Sequence, residues 1–263
     1  MFSYSRQSLG PAGTGRLFCS LASAALSLFA VPAFAAEPGG PSWNGCYIGA
    51  SAGYGRAGVD ATDSPFRDGP FAGSGYSWNG GGGEYETIKS HDSGLTGGVE
   101  AGCDRQIDLG GTPLVIGGVV DFSAMNLEAT GTSAIVGDTH TRAGIDWAAS
   151  VRARAGVGAG DVLFFVSGGV AVADVNVRAF DQEVSPTFGR MNVSGGGTET
   201  GWVAGAGAEW RVKPNLSLSL EYLHYDFGSV TATGPAIEPA GAFPRFENDV
   251  RLDTVRIGLK WRM

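Results

Sequence analysis

Ten residues, Thr254 to Met263 (TVRIGLKWRM), constrain the fold of this chain more than any other stretch. Read as a strand, Val255, Ile257, Leu259, Trp261 and Met263 share one face. Thr254, Arg256, Gly258, Lys260 and Arg262 share the other, which therefore carries three positive charges. An apolar face backed by a charged one suits a wall between lipid and a polar lumen, as in a transmembrane β-barrel.

The opposite end reads as a secretory signal over residues 1–35. Arg6 and Arg16 supply a positive region, Leu17 to Val31 an apolar core, and Ala33-Phe34-Ala35 a cleavage site. The competing reading, an N-terminal transmembrane anchor, asks for an apolar run of about 20 residues. The expected mature chain is 36–263, an outer-membrane barrel domain. No run of 18 apolar residues follows. Mean hydropathy is near zero, but period-2 alternation conceals a barrel's apolar face from such an average. Losing Arg6 and Arg16 takes the formal charge from −8 to −10. An acidic chain gives no reason to expect nucleic acid as a partner.

Alternating segments predict strands at 45–56, 94–106, 113–126, 144–157, 162–176, 200–212, 215–227 and 250–263. Short links (107–112, 158–161, 213–214) alternate with long ones (57–93, 127–143, 177–199, 228–249). Short turns on one side and long loops on the other form the outer-membrane pattern. The fold class expected is all-β, an eight-stranded antiparallel up-and-down transmembrane β-barrel preceded by a signal peptide. Ile48, Ala50, Ala52, Tyr54, Leu95, Val99, Phe164, Val166, Leu218 and Leu220 then face lipid. Trp202 and Trp210 bracket the sixth strand as an aromatic girdle would.

Period alone does not say which face is inside, and a soluble sandwich or lipocalin-like barrel would turn the apolar face inward. The charged face decides. It holds Glu100, Asp121, Arg152, Arg154, Glu209, Glu221, Arg256 and Lys260, four acids and four bases. An eight-stranded lumen is just wide enough for side chains, and buried charges must pair. The expectation is a salt-bridged plug, with Arg256 and Lys260 meeting Glu100, Glu209 and Glu221. Small residues on that face, among them Gly49, Gly53, Gly98, Gly102, Gly205, Gly207 and Gly258, leave room for it.

The chain resembles the small porin-like outer-membrane β-barrels of alphaproteobacteria, related in fold to the transmembrane domain of outer membrane protein A. The resemblance rests on WNGCYIGASAGYG (Trp43 to Gly55), GGVEAGCDRQ (Gly97 to Gln106) and VRARAG (Val151 to Gly156). It continues in FFVSGGVA (Phe164 to Ala171), GWVAGAGAEW (Gly201 to Trp210), SLEYLHYDFG (Ser219 to Gly228) and the terminal strand. It implies residence in the bacterial outer membrane among lipids and lipopolysaccharide, and no catalytic site. It also implies an assembly strand, Val255, Ile257, Leu259, Trp261 and Met263, presented to the barrel assembly machinery. The family usually ends in Phe, where this chain has Met263.

Cys46 and Cys103 fall at the periplasmic rim of neighbouring strands, in an oxidising compartment. A disulfide between them is the preferred reading; two lipid-buried free thiols are the other. Gly53 to Gly58 matches G-x-G-x-x-G, but runs from strand into loop, where a dinucleotide site needs a helix. His91 and His140 are expected at loop tops and His224 near the outer interface, without metal-ligand spacing. No metal, cofactor or catalytic constellation is expected. The expected role is structural support of the envelope with display of four loops. Alternatives are a narrow pore for small solutes, or a surface protein binding haem or a host ligand.

Overall fold

The computed structural model describes residues 42–80, 83–109, 112–184, 189–237 and 241–263. The segment read as a signal, 1–35, lies outside the described residues. Eight strands follow one another around a closed ring: β1 (Gly45–Ser64), β2 (Thr87–Leu109), β3 (Thr112–Thr132), β4 (Thr139–Ala159), β5 (Val162–Asp181), β6 (Asn192–Lys213), β7 (Leu216–Thr233) and β8 (Arg245–Arg262). Each pairs antiparallel with its sequence neighbour. β8 closes on β1, with Ala50 opposite Leu259 and Tyr54 opposite Val255, so no sheet edge is left in lipid.

The strands are longer than their sequence pattern predicts, 18 to 23 residues against the roughly 10 that cross a bilayer. β1 runs on from 56 to Ser64, β2 begins at Thr87 rather than 94, and β8 at Arg245 rather than 250. The long connections shrink accordingly to 65–86, 133–138, 182–191 and 234–244. The cause is an inversion of polarity along each strand. Up to Tyr54, β1 points Ile48, Ala50 and Ala52 outward and Gly49, Ser51 and Gly53 inward. Beyond it, Arg56 and Asp60 point outward while Ala57, Val59 and Ala61 are buried. The alternation persists, but a reading that follows one apolar face sees it stop.

The barrel therefore has two halves. In the periplasmic half the outer face is apolar, with Leu95, Phe164, Val166 and Ile257 each more than half exposed, as lipid requires. In the extracellular half the outside is polar and the inside holds an apolar core that includes Leu127, Ile145, Val175, Phe246, Val250 and Leu252. Burying such side chains contributes about 1.5–3 kcal/mol each, so this half is built like a soluble barrel standing above the bilayer.

Candidate functional site

The charged side chains of the periplasmic half meet in the lumen, in two layers. In the middle layer Arg256 of β8 grips Glu221 of β7 through Nε and Nη2, at 3.0 and 2.7 Å. Its Nη1 crosses to Asp121 of β3 at 3.0 Å, and Glu100 lies 3.9 Å away. Arg152 of β4 mirrors this arrangement, with Glu221 at 2.6 Å and Asp121 at 3.1 Å. Ser150 donates to Asp121, and Ser167 accepts from Arg152. Glu221 and Asp121 are thus each held by two guanidinium groups, and Arg152 and Arg256 each bind both.

The second layer lies toward the periplasmic rim and centres on Glu209, which is fully buried. Arg154 reaches it at 2.7 Å, Arg262 at 3.3 Å and Lys260 at 3.5 Å. Ser217 donates to it as well. Arg262 also pairs with Asp104 at 2.9 Å. Lys260 ties the layers together, lying 3.2 Å from Glu100. Aromatic faces complete the cage. The Arg154 guanidinium stacks 4.1 Å from the Phe165 centroid and donates to the Tyr47 hydroxyl.

All eight charged residues singled out in the sequence point into this lumen, together with Asp104, which the sequence reading passed over, and Arg262, which it placed on the charged face of the last strand but left out of the network. The full set is five acids (Glu100, Asp104, Asp121, Glu209, Glu221) and five bases (Arg152, Arg154, Arg256, Lys260, Arg262), formally neutral. Strand parity, which had placed Arg262 on that face, is the signal that could have found Asp104 as well. The glycines serve the aromatics as much as the charges. A Cβ on Gly102 would lie 2.5 Å from the Tyr47 hydroxyl, and one on Gly207 2.7 Å from the Phe165 ring.

Below the cage Trp43 is buried, with Arg211 stacked 4.2 Å from its ring and the Arg262 guanidinium donating to its carbonyl. Cys46 and Cys103 stand opposite one another in the β1–β2 register and are joined by a disulfide. On β8, Val255, Ile257, Leu259 and Trp261, and Met263 just after it, are all about half exposed or more.

At the other end residues 65–80 fold over the barrel mouth. Asp63, wholly buried near the end of β1, accepts from the Ser77 hydroxyl and from the backbone N–H groups of Trp78 and Asn79. The Trp78 indole N–H donates to Asp181 at 2.8 Å, and Thr139 and the Met191 N–H bind the same carboxylate. Asp63 is nine residues past Tyr54, roughly 30 Å of strand beyond the lipid-facing band and clear of the membrane. Burial, aided by the nearby charge of Glu86, pushes its carboxyl up to about 6, outweighing its three donors. The folded value is raised, so its contribution is full below the ordinary value of 3.8 and is lost as pH rises through about 6. Acrylamide quenching of tryptophan emission should therefore increase between pH 4 and 7, and this step should vanish in Asp63→Asn.

Two of the histidines depart from expectation. His91 and His140 sit within β2 and β4 rather than at loop tops, because the strands extend so far. His140 shares a hydrogen bond with Thr132, and His224 one with Asp253 at 2.7 Å. Among the described residues no group of three His, Cys, Asp or Glu could hold a metal ion. Gly53 to Gly58 lies wholly within β1, with no helix for a phosphate.

An eight-stranded ring with lipid-facing apolar residues and an ion-paired lumen defines an integral β-barrel of the bacterial outer membrane. The chain belongs to the outer membrane protein beta-barrel domain family, whose model matches residues 21–262. It is 30% identical over 256 residues to the 31 kDa outer-membrane immunogenic proteins of Brucella melitensis and Brucella suis, covering 90% of this chain and 95% of each relative. Among solved structures it is similar to the outer membrane protein OprG from Pseudomonas aeruginosa. That similarity has a TM-score of 0.51 and 11% identity, covering 85% of this chain and 99% of the other. At that identity the likeness concerns the fold alone.

Proposed function

We propose that this protein is a non-enzymatic structural element of the outer membrane, its lumen closed by the charge network and its loops displayed at the cell surface. The observation that carries this reading is the pair of crossings Arg256–Asp121 and Arg152–Glu221, which join β8 to β3 and β4 to β7 through the middle of the barrel. A formally neutral, hydrogen-bonded layer offers a passing ion no unpaired charge. The apolar core above it offers no polar path, and buried Trp43 stands below. The ring itself satisfies its backbone in lipid, and the lumen pairs stiffen it. The Brucella relatives are named as immunogenic, in keeping with loops displayed at the surface. Outer-membrane lipids would surround the apolar band, and the outward face of β8 would serve its assembly.

Planar bilayer recording tests this reading. Purified, folded protein should give no stable conductance steps. Large, persistent nanosiemens steps from the wild-type chain would establish a pore instead.

A further inference from the structure

The four long connections are tied to one another as well as to their own strands. Glu86, in the first (65–86), accepts from the Ser133 hydroxyl and the Ala134 N–H of the second (133–138). The Gln182 N–H of the third (182–191) donates to the Asp138 carbonyl at 3.1 Å. Arg190 and Ile237 exchange both backbone hydrogen bonds, at 3.1 and 2.9 Å, which joins the third to the fourth (234–244). Phe243 of the fourth closes the circuit on Gly69, where a Cβ would stand 2.7 Å from its ring. The result is a braced roof. Every connection presents a large apolar side chain on it: Tyr76, Ile135, Val136, Val184 and Ile237 are 46 to 66% exposed. The same segments carry Asp68, Glu84, Asp138 and Glu183, which enter no ion pair among the described residues. With Glu86, whose partners are uncharged, the described part of the four connections holds five acids against two bases, Arg67 and Arg190. Asp63 and Asp181, buried beneath, accept from uncharged donors and add to the same sign.

We propose that this roof is a preformed docking platform for a cationic amphipathic polypeptide. Apolar side chains held out in water on a braced frame are costly, and an exposed apolar patch rimmed by polar groups marks an interaction site. The charge chooses the partner. A second copy of this chain, a nucleic acid or an anionic lipid surface would bring like charge onto the acids. A basic polypeptide with an apolar face meets both features at once. Because the connections already hold one another, little ordering is left for the moment of binding. This role goes beyond the structural one proposed above and does not depend on whether the lumen conducts.

Binding of a fluorescent leucine–lysine amphipathic peptide to the protein in phosphatidylcholine nanodiscs, read by anisotropy against empty discs, tests it. Discs holding the wild-type protein should bind the peptide about tenfold more tightly than empty ones, and added salt should shrink the excess. D68N, E84Q, D138N and E183Q together should remove it, and so should I135S with V184S. D146N with D249N, exposed on β4 and β8 below the roof, should leave it intact. The shift in gel mobility between unheated and boiled samples reports that each variant is folded. No excess over empty discs, or an unchanged excess in either roof variant, would overturn the proposal. Equal binding of the peptide with glutamine for lysine would overturn it by marking a merely apolar patch, and tighter binding of the glutamate version by marking an anionic partner.

Discussion

Replacing Arg256 with alanine is expected to destabilise the folded barrel by about 3–5 kcal/mol, the cost of breaking a buried ion pair by removing one partner. Arg256 is nearly buried and binds both Glu221 and Asp121. Its loss leaves Arg152 alone to neutralise those two carboxylates, with Glu100 also nearby. The lumen cluster passes from formally neutral to one excess negative charge among buried side chains. Urea titration of protein in lipid vesicles, scored by gel mobility before boiling, measures the change. A shift below about 0.5 kcal/mol, within the range of an ordinary surface substitution, would mean that the network does not hold the barrel.

A second substitution separates charge from geometry. Arg256→Lys keeps the positive charge but not the fork that gives Glu221 two donors from one group. It should recover part of the loss and not all of it. Full recovery would show that a point charge in the lumen suffices, and that the hydrogen-bonded geometry adds nothing.

Strand number, order and sidedness were legible because alternation and the rhythm of short and long connections are local properties of the chain. Strand ends were not. At Tyr54 and Arg56 the outer face passes from lipid to water, so the apolar residues change sides without any turn signal, and the strand reads as ended when it has eight more residues to run. Asp104 was passed over, and Arg262 left out of the network, for a related reason. They lie at the periplasmic ends of their strands, where charge is ordinarily solvated, and become interior only because Trp43 and Tyr47 pack beside them. The inward face and the acids that Arg256 and Lys260 meet were legible, but the partners of the β4 arginines were not, since strands in a barrel are staggered. That Arg152 meets Glu221 while Arg154 meets Glu209 depends on that stagger. The cap was invisible for a different reason. Trp78 reaches Asp181 across 103 residues of sequence, a distance no periodic pattern spans.

Removing the disulfide by Cys46→Ser with Cys103→Ser is expected to lower stability by about 4 kcal/mol, from the chain entropy of a loop whose ends are 57 residues apart. The bond sits on the outer face at the foot of the β1–β2 ladder, and β1 is also the strand on which β8 closes the ring. A one-residue slip of that ladder would turn every side chain of β1 to the wrong face, sending Tyr47 out of the cage and Ile48 into it. A two-residue slip would keep the faces but carry the two cysteines apart, so the bond singles out one register among those the alternation allows. Urea midpoints of the wild-type protein, oxidised and reduced, and of the double variant measure the effect. The reduced wild type should fall with the double variant and the oxidised form should stand apart from both. A reduced wild type as stable as the oxidised form would assign the loss to the serine hydroxyls at the lipid face, and the register would then rest on side-chain packing and the lumen pairs alone.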